Sequence, residues 1–186
     1  MQLYLIRHPK PDNVAGLCYG RREVAVDAES VAHAALAVRE RIPERVLKEA
    51  RIFTSPAARC VLLARALAPT REPRIAADLE EMSFGSWEGQ SWDAIPRDQL
   101  DAWASDVWRY KPGGAESAVM LAARWQRWAT LMRSSGESFA VAVTHAGVIR
   151  VALAGACLSN AAACLQIPVA FGSVHCVDLR QAQVPA

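Results

Sequence analysis

The sequence predicts an α/β fold, a three-layer sandwich in which a mainly parallel sheet is flanked by helices, with a small cap insertion. Three observations predict it. Short runs at Leu3–Ile6, Arg51–Thr54, Phe139–Val143 and Val174–Leu179 have the length and character of buried strands. Stretches with apolar residues at helical spacing alternate with them. The chain has 186 residues, 52% of them hydrophobic, which is enough for a large core and argues against global disorder. The expected organisation is one domain over residues 1–186. Its cap insertion spans about 84–116, where Gly, Trp and Pro cluster.

In chain order, Leu3-Tyr4-Leu5-Ile6 opens the fold as a buried strand, and a loop with Pro9, Pro11, Asp12, Asn13 and Gly16 ends it. Val31, Ala35, Val38 and Ile42 place a helix over 29–42. After the second strand, Pro56 marks a helix start and 57–68 is rich in Ala and Leu. A further helix is expected over 93–106. A longer one over 117–133 carries Leu121, Trp125, Trp128 and Met132 on one face. The strand ending at Val143 leads into a helix from about 147 to 157, and the strand at Val174–Leu179 closes the sheet. No repeat or low-complexity segment interrupts this order.

Charge and cysteine usage narrow the function classes. A net charge of +2 argues against a general nucleic-acid binder, which would be clearly basic. The basic residues are lopsided, 18 Arg against 3 Lys. Codon bias accounts for most of this excess, but Arg forks also suit phosphate and carboxylate recognition. The five cysteines (18, 60, 157, 164 and 176) are odd in number and form no C-x-x-C pair, so neither a disulfide framework nor a structural zinc site is expected. The first apolar run is too short for a signal-peptide core, and no stretch approaches the roughly 18 apolar residues of a membrane span. A cytoplasmic protein without membrane partners is the expectation.

In open parallel sheets ligands bind beyond the carboxyl ends of the strands. The first strand ends in Arg7-His8, and the second in Thr54-Ser55-Pro56 with Arg59 one turn on. The strand at 139–143 ends in Thr144-His145-Ala146-Gly147. Two His and two Arg therefore meet at one crevice, where helix N-termini add N–H donors for an anion. Four cations around one point repel one another, and a phosphoryl group relieves this. A neutral imidazole can attack phosphorus, and nearby arginines oppose its protonation. The loop Glu80–Gly89 supplies carboxyl groups able to protonate a leaving alkoxide and then to activate water, but spacing does not choose among Glu80, Glu81 and Glu88. His33 reads as an ordinary helix-surface histidine, and the partner of His175 is not legible. Cys60 reads as an inert buried thiol, and the six Trp read first as core and cap packing.

With these residues in place the chain is identified as a member of the histidine phosphatase superfamily, in its metal-independent, phosphoglycerate mutase-like branch. LYLIRHPKPDNVAGLCYGRREVAV resembles the opening strand and R-H loop of that family. FTSPAARCVLLARAL resembles its S-P-x-x-R segment, LEEMSFGSWEGQSWDAIP its E-x-x-F-G-x-W-E-G segment, and VAVTHAGVIRVALA its H-G/A-G-x-I-R segment. The four blocks stand in family order over residues 3–154. Within the superfamily the chain is similar to bacterial α-ribazole phosphatase-like proteins, on Cys18-Tyr19-Gly20-Arg21, the W-E-G-x-x-W run and its short length.

The resemblance implies roles residue by residue. His8 matches the nucleophile, Arg7 and Arg59 the phosphate clamp, and His145 the second phosphate-binding histidine. Glu81 matches the proton donor, three residues before Phe84-Gly85. Tyr19 and Arg21 match the covering loop, Glu116 a Glu near the substrate, and Ala146 the substrate-side position after His145. The chain departs from the pattern at Pro9, which lacks a backbone donor, and at Asn13, one residue early for a phosphate-binding Asn. It departs again at Glu23 in place of Asp, and at Ala115, which splits the G-G-E-S segment.

The resulting expectation is a metal-independent phosphomonoesterase that acts on a small phosphate ester, α-ribazole phosphate among the candidates, through a phosphohistidine. Cofactors and metals are not expected. The partner is the small-molecule ester itself, and assembly as a homodimer is left open. The alternatives are a catalytically weak phospho-ligand binding module, a phosphoglycerate mutase-like phosphotransferase, and a metallohydrolase using His8, His145 and carboxylates, which no ligand spacing supports. On the leading reading the +2 charge conceals one concentrated positive pocket, sized for a single phosphoryl group.

Overall fold

A computed structural model of the chain describes residues 1–154, 164 and 166–180. The strands are β1 (Gln2–Arg7), β2 (Arg51–Thr54), β3 (Arg74–Ile75), β4 (Phe139–Thr144) and β5 (Val174–Asp178). The helices are α1 (Ala28–Arg41), α2 (Glu44–Glu49), α3 (Ala58–Leu67), α4 (Arg97–Ser105), α5 (Ala118–Arg133) and α6 (Ala146–Ala154). Short 3-10 turns lie at Ala77–Leu79, Gly85–Trp87, Trp92–Ala94 and Pro112–Gly114.

The sheet order is β3-β2-β4-β1-β5. All pairings are parallel except that of β5 with β1. Alternation along the strands makes the three layers. Leu3 and Leu5 of β1 and Ala140 and Ala142 of β4 face α5 and α6, against Leu121, Trp125, Trp128 and Ile149. Their neighbours Ile6, Val141 and Val143, with Ile52 of β2, face the other way onto α1, α2 and α3, against Val38, Leu47 and Leu63. The central strands are thus apolar on both faces, as a parallel sheet covered by helices requires.

Helix boundaries follow local chemistry. Asp27 caps α1 by accepting from Ser30 N at 2.6 Å, and Ser117 caps α5 by accepting from Met120 N. The helix expected over 93–106 is a turn at Trp92–Ala94 followed by α4 from Arg97. Pro96 explains the break, because the residue before a proline is pushed out of helical geometry and Ile95 is extended. Helix α3 begins two residues after Pro56, and the last three residues of the helix expected over 147–157 lie outside the described residues. The insertion and the loop after β1 build a small core together, Trp87 and Ile95 with Cys18 of that loop, and Phe84, Trp92, Leu100, Trp103 and Tyr110 around them. Trp92 and Trp103 stack at 6.1 Å within it.

Candidate active site

Strand register brings the site together. Arg7 pairs with Thr144 across β1 and β4, and Thr54 with Val143 across β2 and β4. The ladder runs one step further, with His8 N donating to the Thr144 carbonyl and Ser55 N to the Val143 carbonyl, both at 3.0 Å. His8 and His145 therefore leave adjacent strands side by side, and their rings meet edge to face at 5.1 Å. Both are buried.

The hydrogen bonds assign the tautomers. His8 Nδ1 lies 2.7 Å from the Pro9 carbonyl, which can only accept, so Nδ1 carries the proton and Nε2 keeps a lone pair. Pro9, which has no N–H to offer, contributes here through its carbonyl. Arg59 Nη2 stands 3.3 Å from His145 Nδ1. A guanidinium only donates, so His145 holds its proton on Nε2 and gives it to Ser55 Oγ at 2.8 Å. The surroundings of both rings favour the neutral form. Burial, then the nearby Arg59 and Arg7, push His8 down to about 3. Burial, His8 and Arg59 hold His145 well below the usual imidazole range.

The arginines differ in freedom. Arg59 is fully buried, donating to the Arg22 carbonyl at 3.1 Å and the Gly20 carbonyl at 2.8 Å. Its guanidinium lies 5.4 Å from the Tyr19 ring centroid. Arg7 donates to the Val169 carbonyl, lies over the Phe171 ring at 3.7 Å and engages the Tyr19 hydroxyl. Arg21 is committed to Glu80 at 3.0 Å, to Glu116 at 3.0 Å and to the Glu81 carbonyl at 2.9 Å. Ala146 is buried at the first position of α6.

Glu81 sits where two cavities meet. A small polar one of about 80 Å³ is lined by Arg21, Glu23, Arg59, Glu80 and Glu81, with Ser55 and His145. An apolar one of about 230 Å³ is lined by Phe84, Trp92, Trp103, Val107, Trp108 and Leu121, with Arg150 and again Glu81. The Glu81 carboxylate accepts from Met82 N at 2.9 Å and from Gly147 N at 3.2 Å, at the start of α6. Glu23 likewise accepts from Ala58 N at 3.2 Å, at the start of α3. One N–H at the start of each of these helices is thus taken by the protein's own carboxylates. The small polar cavity has three Glu among its lining residues and fewer positive groups than expected, and neither Arg7 nor His8 lines it.

Glu116 is buried and fully occupied. It accepts from Arg124 Nε at 2.8 Å, Arg21 Nη2 at 3.0 Å and Ser83 N at 3.0 Å. Glu88 ties the covering loop to the Glu81 segment, accepting from Arg21 N at 3.1 Å and Phe84 N at 2.9 Å. Gly20 makes this possible, since a Cβ there would stand 2.5 Å from the Glu88 carboxylate. Asn13 is exposed, at φ 52 in its turn. His33 lies on the surface of α1, and His175 pairs with Ser173 Oγ at 2.8 Å. Cys60 is buried 3.5 Å from His145 Nε2, and burial raises its thiol pKa, which keeps it protonated.

The sequence reading missed Ser55, Phe171 and Arg124. Only Arg124 left a signal there, a charge at the i+3 position of the apolar stripe Leu121, Trp125, Trp128. Among the described residues no three His, Cys, Asp or Glu side chains converge as a metal site requires, and no helix is long and apolar enough to cross a membrane.

The mainly parallel sheet brings two buried histidines together at its carboxyl edge, with Arg59 against one of them. The family model of the histidine phosphatase superfamily (branch 1) matches residues 3–184, and the chain belongs to that superfamily. No curated protein matches the chain by sequence. Solved structures similar to it include the α-ribazole phosphatase from Shigella flexneri, with 24% identity, 96% of this chain and 90% of that chain covered, and a TM-score of 0.79. A phosphoserine phosphatase mutant from Entamoeba histolytica in complex with phosphoserine shares 18% identity over 94% of this chain and 89% of that one, at a TM-score of 0.77. A phosphoglycerate mutase from Thermus thermophilus shares 26% identity over 96% of this chain and 93% of that one, at a TM-score of 0.73.

Proposed function

We propose that this protein is a phosphomonoesterase that works through a phosphohistidine and needs no metal. The observation that carries the reading is a neutral, buried His8 with its Nδ1 proton fixed on Pro9 and its Nε2 lone pair free, beside Arg59 and His145. Arg7 and Arg59 hold the phosphoryl oxygens, His145 supports Arg59 through its Nδ1 lone pair, and His8 Nε2 attacks phosphorus in line. The P–O bond to the alcohol breaks as the N–P bond forms. The leaving oxygen takes a proton from Glu81, which must be protonated when the ester binds, becomes a carboxylate in this step, and lines both the polar cavity and the apolar one. Water then gives a proton to Glu81 and attacks phosphorus, the N–P bond breaks, and phosphate leaves with His8 restored.

The apolar cavity supports a bulky, flat alcohol. A cavity of about 150 Å³ holds a benzene ring, so the site has room for more than one ring. α-Ribazole phosphate is therefore the first ester to assay. His8→Ala is expected to abolish hydrolysis of an aryl phosphate. Wild type is expected to form an acid-labile phosphoenzyme and to keep its activity after exhaustive chelation. Turnover by His8→Ala would refute the mechanism. Release of inorganic phosphate, with no phosphorylated second alcohol, separates hydrolysis from mutase-like transfer.

A further inference from the structure

Arg124 lies on the buried face of α5, 6% exposed. Its Nε and Nη2 donate to the two Glu116 oxygens at 2.8 and 3.2 Å. Nη1 donates to the Asp78 carbonyl at 2.7 Å and Nη2 also to the Glu81 carbonyl at 2.9 Å. Glu116 in turn accepts from Ser83 N at 3.0 Å and from Arg21 Nη2, while Arg21 Nε makes a second bond to the Glu81 carbonyl at 2.9 Å.

Stability alone does not account for this pair. Taking two charges out of water is costly, and well-packed apolar residues of similar volume often do as well or better. What the pair does instead is local. Its main-chain contacts go to Asp78, Glu81 and Ser83, on both sides of Glu81 and at Glu81 itself. Residues 80–84 form neither helix nor strand, so their backbone groups depend on such partners to stay in one place. The Glu81 carboxylate is held separately, by Met82 N and Gly147 N.

We propose that Arg124, through its bidentate pair with Glu116, is a positioning residue that holds Glu81 at proton-transfer distance from the leaving oxygen. The proposal rests on the reading of Glu81 as proton donor. A group that acts only by protonating the alcohol matters when the alcohol leaves as a poor anion, and matters little when it leaves as a stable phenolate. The loss on removing Arg124 therefore depends on the leaving group, which general loosening of the fold does not produce.

The test measures kcat and KM on p-nitrophenyl phosphate and on an alkyl phosphate for wild type, Glu81→Gln, Arg124→Met, Arg124→Lys and Arg127→Met. Lysine keeps a charge against Glu116 but loses the fork that also reaches the Glu81 carbonyl. The double variant Arg124→Met/Glu116→Leu leaves no buried charge unpaired, so the experiment stands even if Arg124→Met does not fold. Arg127, exposed on the same helix and paired with Asp78 at 3.0 Å, is the control for removing an arginine from α5. Glu81→Gln is expected to lose about 10²-fold or more on the alkyl ester and far less on the aryl one. The Arg124 variants are expected to lose about tenfold more on the alkyl than on the aryl ester, in kcat rather than KM. Arg127→Met is expected to match wild type. If Glu81→Gln shows the split and every Arg124 variant loses both activities equally or neither, the positioning role is overturned and the proton donor stands. If Glu81→Gln shows no split, both are overturned.

Discussion

An imidazole that attacks phosphorus must be neutral when the ester arrives, and His8 meets this by burial first and by the Arg59 and Arg7 charges next. The same shift carries a stability consequence. The folded value, about 3, lies below the unfolded 6.5, so the unfolded chain binds the proton more readily across that window. The contribution of His8 to stability is therefore whole above pH 6.5 and is lost as pH falls toward 3. His145 shifts in the same direction. Thermal unfolding of wild type is expected to move to lower temperature as pH falls through this window, and His8→Gln is expected to show a shallower fall. Parallel curves for the two proteins would show that His8 titrates as it does in the unfolded chain. His8, His145 and the two arginines were legible in the sequence because each stands on, or one turn after, the end of an apolar run. Arg124 was not, because its partner Glu116 comes from outside the helix and the carbonyls it holds belong to a loop that only the folded chain brings near.

Helix α6 delivers Glu81 as much as the loop does. Its second residue, Gly147, donates to the carboxylate, and a Cβ on Gly147 would stand 2.3 Å from Glu81 Oε1 and 3.3 Å from Leu121 Cδ2. Alanine suits a helix better than glycine by roughly 0.5–1 kcal/mol, yet here it evicts the carboxylate. Gly147→Ala is thus expected to keep its unfolding midpoint within a few degrees of wild type. Turnover of an alkyl phosphate is expected to fall by about tenfold to 10²-fold, the order expected for a misplacement near 1 Å. Unchanged turnover would mean that the carboxylate need not rest on α6. The elements that hold the site were readable, since β1, β2 and β4 are short apolar runs and α5 carries an apolar stripe broken only by Arg124. Two others were not. Helix α2 has six residues, too few for a period to stand out, and it starts after Pro43. Strand β3 has two exposed residues, Arg74 and Ile75, paired only with Phe53 and Thr54 of β2. Its pairing comes from a neighbour, and nothing in its own pattern announces it.

At the scale of the molecule the two cavities have different owners. The sheet edge and α3 line the small polar cavity, whereas the insertion, α5 and α6 line the apolar one, and Glu81 belongs to both. Of the 18 arginines of a nearly neutral chain, Arg7 ends β1 while Arg59 and Arg21 line the polar cavity, and Arg21 there is paired with Glu80 and Glu116. Binding of the phosphoryl group and binding of the alcohol should therefore be separable by mutation. Val107 is the place to test this. It lies in the insertion, half-buried on the wall of the apolar cavity, and belongs to none of the buried clusters that hold the fold. A tryptophan there fills space that a ring-bearing alcohol would use on the proposed reading and leaves the small polar cavity alone. Val107→Trp is expected to raise KM for a phosphate ester of a bulky aromatic alcohol about tenfold, the order lost when a pocket no longer accepts a group of that size. For an ester with a small alkyl alcohol, kcat and KM are expected to stay within about twofold, because such an alcohol leaves that space empty. Equal losses on both esters would mean that the apolar cavity and the phosphate cavity act as one site, and equal retention would mean that the alcohol lies elsewhere.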